Sequence, residues 1–250
     1  MLPLANLTIY QVNLESKQEV AFQTKSFIFS KPSDFNYQAG QFVNICLTGL
    51  DKKDQKRAMS LASSPNDNYL MIAMRMTNSA FKAKIDSLPL GSQIAIEGPL
   101  GEDLIIDKND KRPLVFIAGG IGITPFLSII RDQKHKNFPR RITLFYSNRR
   151  PEDTTFKKEL ESIQHNNFQL ICTITNLAES KKKWTKETGR ISAGLIKKYI
   201  TDIKEPVYYI VGLLEMVADM RKMLIDLEVG EEQIKIESFG GYPVRKPAGQ

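Results

Sequence analysis

The sequence contains only two cysteines, two histidines and one tryptophan among its 250 residues. Two thiols cannot form a disulfide framework, and alone they cannot supply the four-thiolate ligand set of an iron–sulfur cluster or a structural zinc site. No apolar run approaches the ~20 residues that a transmembrane helix needs. We therefore expect no resident metal centre and no membrane-spanning helix.

The N-terminal segment, MLPLANLTIYQVNLESKQEV, lacks a basic region followed by a long apolar core. We therefore expect no secretory signal and a cytoplasmic location. The formal charge of +7 favours a nucleic acid, an anionic membrane surface, a phosphorylated cofactor or an acidic protein as a partner. Because no nucleic-acid-binding module accompanies that charge, we expect no nucleic-acid partner.

Short β-strand patterns separated by turn signals fill the first part of the chain. They occur at residues 20–24, 42–48, 57–62, 68–74 and 93–97. One short helix is predicted over residues 79–85, with Ser79 as its N-cap. The pattern is typical of an antiparallel barrel or sandwich.

The rhythm changes after residue 101, because apolar β-runs now alternate with amphipathic stretches of helical length. The strands are predicted at residues 114–118, 142–146, 169–175, 207–211 and 234–237, and the helices at 124–133, 152–164, 192–200 and 215–228. This alternation indicates a parallel sheet covered on both faces. The charged, Pro-containing segment 107–113 separates the halves, and we expect domains over 1–108 and 109–250.

A glycine turn follows the first strand of the second half, in the sequence Ala-Gly-Gly-Ile-Gly-Ile-Thr-Pro at residues 118–125. Glycines let a phosphate approach the backbone, and the N–H groups and dipole of the following helix attract it. The spacing is not Gly-x-Gly-x-x-Gly, so the dinucleotide fingerprint does not apply. The glycines are equally consistent with a tight connection that binds nothing.

A second segment, Arg-Ala-Met-Ser at residues 57–60, joins an arginine fork suited to a pyrophosphate with a serine hydroxyl. Alone it also fits an ordinary strand edge. Two more segments are informative: Glu-Gly-Pro-Leu-Gly at 97–101 and the strand–Gly–helix segment at 209–217. With these four segments in this order, nearly the whole chain resembles the ferredoxin-NADP reductase superfamily. That resemblance implies a six-stranded antiparallel β-barrel that binds FAD, followed by a parallel α/β domain that binds NAD(P)H.

The resemblance also assigns residues to FAD. It implies that Arg57 holds the pyrophosphate, that Ser60 lies near the reactive edge of the ring, and that Met59 replaces the family's stacking tyrosine. The expected FAD-binding residues are Arg57, Ala58, Met59, Ser60, Met74, Arg75, Ser79, Ala80, Phe81, Lys82 and Phe239. Tyr242 is the second candidate, after Phe239, for an aromatic that shields the ring.

For the pyridine nucleotide, the resemblance implies contacts at three places. The expected residues are Gly119, Gly120, Gly122, Ile123, Thr124, Pro125, Ser147, Arg149, Arg150, Gly212, Leu213 and Met216. Ser147, Arg149 and Arg150 favour NADPH, because arginine binds a 2′-phosphate, and NADH is the alternative coenzyme. The other interpretation of this segment is a solvated basic turn. Val211 stands where the family often has a cysteine.

The implied reaction is hydride transfer from NAD(P)H to FAD, with Ser60 and Thr124 beside the reacting atoms and Glu237 as a candidate proton source. Electrons then pass to a separate acceptor, and the basic chain favours an acidic carrier such as ferredoxin or flavodoxin. The alternatives are a reductase of free flavin, quinone or another small acceptor, and a non-catalytic nucleotide-binding regulatory subunit, which Met59 and Val211 suggest.

Overall fold

The first six strands form one antiparallel sheet in the computed structural model, which describes residues 8–240. The strands are β1 (Ile9–Ala21), β2 (Thr24–Ser30), β3 (Phe42–Cys46), β4 (Lys56–Ser60), β5 (Tyr69–Arg75) and β6 (Gln93–Leu100), and helix α1 (Ala80–Ser87) precedes β6. Their order is β4-β3-β6-β1-β2-β5. The sheet curls so that its outer strands meet, since the Ala62 N–H just beyond β4 donates to the Met71 carbonyl on β5 at 2.7 Å. This confirms the predicted six-stranded barrel.

The prediction of a strand over residues 20–24 is wrong. β1 ends at Ala21 and β2 begins at Thr24, so the chain reverses direction between them. Gln23 adopts a left-handed conformation with φ 51° in this two-residue turn. The alternation of apolar and polar residues ran across the turn, and no glycine or proline marked the reversal.

The second half of the chain forms a six-stranded parallel sheet in the order β10-β9-β8-β7-β11-β12. Its strands are β7 (Leu114–Gly119), β8 (Ile142–Asn148), β9 (Phe168–Ile174), β10 (Glu187–Thr188), β11 (Val207–Leu213) and β12 (Ile234–Phe239). Its helices are α2 (Ile123–His135), α3 (Lys157–Glu161), α4 (Ala193–Tyr199) and α5 (Leu214–Asp226). The parallel α/β architecture is therefore confirmed. Within residues 8–240, no helix is long and apolar enough to cross a membrane.

The helix predicted over residues 152–164 is much shorter than expected. A 3₁₀ turn over Pro151–Asp153 comes first, and α3 begins only after Phe156, whose φ is 56°. A left-handed residue cannot continue a right-handed helix, so the amphipathic pattern is divided into two short pieces.

The two sheets are fixed to each other by buried polar contacts. The Ser128 hydroxyl on α2 donates to the Ser63 carbonyl, and the Tyr37 hydroxyl donates to the same carbonyl at 3.0 Å. Arg131, also on α2, donates to the Ala62 carbonyl at 2.9 Å and forms two hydrogen bonds with Glu159 at 2.7 and 2.8 Å. These contacts hold the barrel against α2 of the second sheet.

Candidate active site

The parallel sheet contains a crevice at the carboxyl ends of β7 and β11. β7 lies inside the sheet, and the chain goes from it first to β8 on one side and later to β11 on the other. Ligands of open α/β sheets bind where the strand order reverses in this way. A Cβ at Gly119 would lie 2.2 Å from the Met216 sulfur, and a Cβ at Gly212 would lie 2.9 Å from it. The Met216 thioether therefore lies directly against both glycines, and a side chain at either position would have to displace it.

The glycine turn joins this crevice to the barrel. Gly120–Gly122 form a 3₁₀ turn that lies against β5, and a Cβ at Gly122 would be only 2.4 Å from the Val211 carbonyl oxygen. The buried Thr124 hydroxyl donates to the Ile121 carbonyl at 3.1 Å, so it holds the turn closed. Ile123 and Pro125 are buried beside it in the first turn of α2. Pro125 lacks an N–H, which costs little in a first helical turn.

One contact between the two sheets joins two residues that the sequence predicted to be catalytic. The Ser60 hydroxyl, at the end of β4, donates to the Glu237 carboxylate of β12 at 3.3 Å. Burial raises the pKa of Glu237 to about 7, against the opposing Ser60 hydrogen bond and with a smaller contribution from the nearby Asp103. The carboxyl group can therefore hold or release a proton near neutral pH.

Three cations lie together at the other end of the barrel face. Burial lowers the pKa of Lys82, and the neighbouring Arg75 and Arg57 lower it further. The Lys82 ammonium donates to the Arg75 carbonyl at 2.7 Å, and the Arg57 guanidinium lies 5.7 Å from the centre of the Phe81 ring. The first intrahelical hydrogen bond of α1 runs from Ala83 to Ser79, so the N–H groups of residues 80–82 have no acceptor within the helix. Clustered cations and a helix N-terminus suit the pyrophosphate of FAD.

Other predicted FAD residues take less direct positions. The side chains of Met74 and Phe81 are buried in the barrel core, which leaves their backbones for a ligand. Ala58 is exposed, and Met59 is half-buried against the same core. Phe239 pairs with Leu213 across β11 and β12, beside the crevice. Tyr242 lies outside the described residues.

The predicted ribose-binding segment lies at the end of β8, where Ser147 pairs with Gly119. Arg149 donates to both carboxylate oxygens of Glu179 at 3.1 and 3.3 Å. Arg150 instead forms two hydrogen bonds with Asp153 at 3.0 and 2.8 Å. The two arginines, adjacent in sequence, therefore have different partners.

Two acidic residues near the site were missed by sequence reasoning. Asp153 lies between the predicted FAD and nucleotide residues, since it binds Arg150 and approaches Arg75 at 3.7 Å. Glu179 belongs to a 3₁₀ turn after β9, distant in sequence from its partner Arg149. The i,i+3 spacing of Arg150 and Asp153 was a local signal for the first pair. No spacing rule links Glu179 to Arg149, which is 30 residues away in sequence.

Two family sequence models match the chain. That of the oxidoreductase FAD-binding domain matches residues 11–103. That of the oxidoreductase NAD-binding domain matches residues 116–222. The first match covers most of the barrel, and the second covers β7 to β11 with much of α5, so each falls on the sheet that holds the corresponding predicted site.

Relatives and solved structures agree with these matches. The chain is 24% identical over 246 residues to Flavohemoprotein A of Dictyostelium discoideum, covering 91% of this chain and 59% of that protein. It is 30% identical over 202 residues to one subunit of the Na(+)-translocating NADH-quinone reductase of Yersinia enterocolitica, covering 74% of this chain and 49% of that protein. The chain spans about half the length of the curated relatives it matches.

A structure of a ferredoxin NADP+ reductase from Neisseria gonorrhoeae with bound FAD and NADP superposes with a TM-score of 0.78 at 21% identity, covering 92% of this chain and 98% of that one. This likeness shows a shared fold. With both family models matched in order along a barrel and a parallel sheet, the chain belongs to the ferredoxin-NADP reductase superfamily of FAD- and NAD(P)-binding oxidoreductases.

Proposed function

We propose that this chain oxidises NAD(P)H by hydride transfer to FAD and then passes electrons to a separate acidic carrier protein of the ferredoxin or flavodoxin kind. The observation that carries the proposal is the hydrogen bond between Ser60 and Glu237, because it places a barrel hydroxyl and a titratable carboxyl of the parallel sheet at one point. FAD, when bound, supplies the conversion between two-electron and one-electron chemistry. The protein supplies binding, orientation and protons.

The barrel offers a site that fits FAD. Arg57, Arg75 and Lys82 present positive charge beside the N-terminus of α1, which matches the two negative charges of a pyrophosphate. Salt bridges to Asp54 and Asp153 fix the directions of the two arginines. Arg57, Arg75 and Lys82 would therefore hold the phosphate groups of FAD, and Ser60 on β4 would contact its ring.

The parallel sheet offers the complementary site for the hydride donor. Gly119 and Gly212 line the crevice with Met216, and the Gly120–Gly122 turn brings backbone N–H groups to the start of α2. β5 of the barrel lies against this turn, so a nucleotide in the crevice meets the barrel face directly. Such positioning accounts for much of the rate enhancement that a cofactor-dependent reductase needs.

Ser60 and Glu237 provide a proton at the junction. With a pKa of about 7, the Glu237 carboxyl is partly protonated at neutral pH, and the Ser60 hydroxyl connects it to the barrel face. A neutral carboxyl can donate when electron transfer leaves negative charge on the cofactor, and its carboxylate can recover a proton from solvent. Thr124, with its hydroxyl bound to Ile121, acts in this proposal by holding the glycine turn.

An anaerobic titration followed by visible spectroscopy tests the reductase proposal. We expect purified protein loaded with FAD to be yellow and to bleach on addition of NADPH or NADH. A protein that takes up no FAD, or whose bound FAD stays oxidised with both nucleotides, contradicts the proposal and favours a nucleotide-binding regulatory subunit.

The choice of acceptor is tested separately. The net charge of +7 and the exposed Lys52 and Lys53 near Arg57 favour an acidic partner. We expect kcat/KM with an acidic [2Fe-2S] ferredoxin or a flavodoxin to fall about tenfold between about 50 and about 300 mM ionic strength, because steering is screened by salt. Salt-independent turnover contradicts a charged carrier.

A small apolar acceptor, such as a quinone or free flavin, is the second candidate. Leu213 and Leu214 are 47% and 66% exposed at the mouth of the crevice, next to Phe239. Exposed leucines at a cofactor mouth favour an apolar ring as a ligand. Turnover with a soluble quinone that is insensitive to salt and lost in Leu214→Asp supports this candidate over the carrier protein.

A further inference from the structure

Arg149 and Glu179 form a solvent-exposed pair at the carboxyl edge of the parallel sheet. Their side chains are 48% and 53% exposed, so a ligand can reach both. Backbone hydrogen bonds fix the two segments side by side, since the Thr175 N–H donates to the Asn148 carbonyl at 2.9 Å and the Asn176 N–H donates to the Arg149 carbonyl at 2.8 Å. Glu179 therefore lies beside the end of β8.

Arg150 has a different environment. Its guanidinium binds Asp153 and lies 4.7 Å from the centre of the Phe22 ring in the β1–β2 turn. The backbone N–H of Phe22 donates to the Glu152 carbonyl at 2.9 Å, so this cluster attaches the barrel to the loop after β8. Arg150 therefore stabilises the contact between the sheets, and Arg149 is the arginine whose partner an incoming anion can replace.

The position of this pair matches the ribose end of a bound pyridine nucleotide. In a doubly wound sheet the pyrophosphate lies at the turn after the first strand, and residues at the end of the neighbouring strand meet the adenosine ribose. Here those strands are β7 and β8, with Gly119 and Ser147 in register. Arg149 follows directly after β8, so it is placed to meet a group on the ribose 2′ carbon.

We propose that Glu179 sets the preference between NADPH and NADH by competing with the 2′-phosphate for Arg149. This proposal rests on the function proposed above. An exposed ion pair contributes little stability, so a phosphate can displace the carboxylate from Arg149. The displaced carboxylate stays nearby and repels the phosphate, whereas a nucleotide with a free 2′-hydroxyl leaves the pair intact. Removing the charge of Glu179 should therefore strengthen binding of the phosphorylated nucleotide alone.

Calorimetric binding of two mononucleotides to the FAD-loaded chain tests this without turnover. The probes are 2′-phospho-AMP and AMP, which differ only in the phosphate. We expect Glu179→Gln to tighten 2′-phospho-AMP on the order of tenfold and to change AMP by less than about twofold. We expect Arg149→Ala to weaken 2′-phospho-AMP alone, and the kcat/KM ratio of NADPH to NADH to follow the same order.

Matched controls separate the site from general charge effects. Glu228→Gln removes a carboxylate of another exposed pair, with Lys204, and should leave both affinities unchanged. Arg221→Ala removes the cation of a further exposed pair, with Glu231, and should leave the ratio of the two affinities unchanged. Equal changes for both probes in Glu179→Gln, or none, overturn the proposal. If the affinities shift as expected while neither NADPH nor NADH reduces the flavin, the proposal holds and the reductase function is the part that fails.

Discussion

Replacing Glu237 by glutamine should make the protein more stable at alkaline pH. The pKa of this carboxyl is about 7 in the folded chain, against an ordinary value of 4.5, chiefly because the group is buried. Between these two values the folded chain binds more protons than the unfolded chain, so the free energy of unfolding falls as pH rises. Above about pH 7 the folded chain bears the whole cost of a buried carboxylate. Glutamine has nearly the same shape and can still accept the Ser60 hydrogen bond without bearing a charge.

The separation of the two pKa values sets the size of the effect. The charged carboxylate lowers the free energy of unfolding by about 3 kcal/mol at a pH above both pKa values, and by almost nothing at a pH below both. For a chain of this length, each kcal/mol moves the melting temperature by about 2 °C or more, so we expect Glu237→Gln to melt about 6 °C higher at alkaline pH. In the proposed FAD-loaded protein, a neutral ring beside this pair would remove more water, so the direction of the effect would be the same.

Thermal unfolding of wild type and Glu237→Gln at about pH 4.5 and about pH 8.5 checks the prediction. The two proteins should differ little at the lower pH and clearly at the higher one. Glu228→Gln is the control, because the salt bridge with Lys204 lowers the pKa of Glu228 and its removal gives no alkaline gain. A Glu237→Gln protein that is less stable at pH 8.5, or shifted equally at both pH values, would refute the reasoning.

Three further substitutions probe the fold and the FAD site. Gly122→Ala should cost about 2 kcal/mol or more of stability, because its Cβ would lie 2.4 Å from a backbone oxygen. Gly194→Ala in α4 is the control and should be neutral or stabilising, and urea unfolding compares the two variants. Arg131→Met should lower the free energy of unfolding by about 2 kcal/mol, since it leaves Glu159 and the Ala62 carbonyl without their donor. An unchanged urea midpoint would show that the contact between the sheets does not depend on Arg131. Lys82→Gln should weaken FAD binding about tenfold and make it less sensitive to salt, as measured by recovery of flavin fluorescence. Lys84→Gln on the same helix is its control, and equal losses in both variants would mean that the effect is not local.

The pattern of local residues was enough to predict the type of most elements. Alternating runs and turns indicated the barrel, and apolar strands alternating with amphipathic helices indicated the parallel sheet, because these periods follow from strand and helix geometry. The prediction failed at the turn of Phe22 and Gln23, and again where Phe156 interrupts a helical pattern. In both places a single left-handed residue reversed or broke an element without a glycine to mark it.

The motif residues were predicted, but the state of their side chains was not. The segment at 57–60 and the glycine turn at 119–125 could be proposed as phosphate sites because a phosphate needs glycines, arginines and a helix start close together in sequence. Whether a side chain faces the ligand or the core depends on which face of the strand is inside. Met74 and Phe81 were expected at the FAD site, and the tertiary structure buries both in the barrel.

The sequence by itself therefore determined the fold class and the family, since both depend on local periodicity or on short motifs. Only the tertiary structure decided the contacts between distant segments. Ser60 and Glu237 are 177 residues apart, and their hydrogen bond exists because the fold brings the end of β4 against β12. The raised pKa of Glu237 and the different partners of Arg149 and Arg150 have the same origin, because burial and charge pairing are set by which segments pack together.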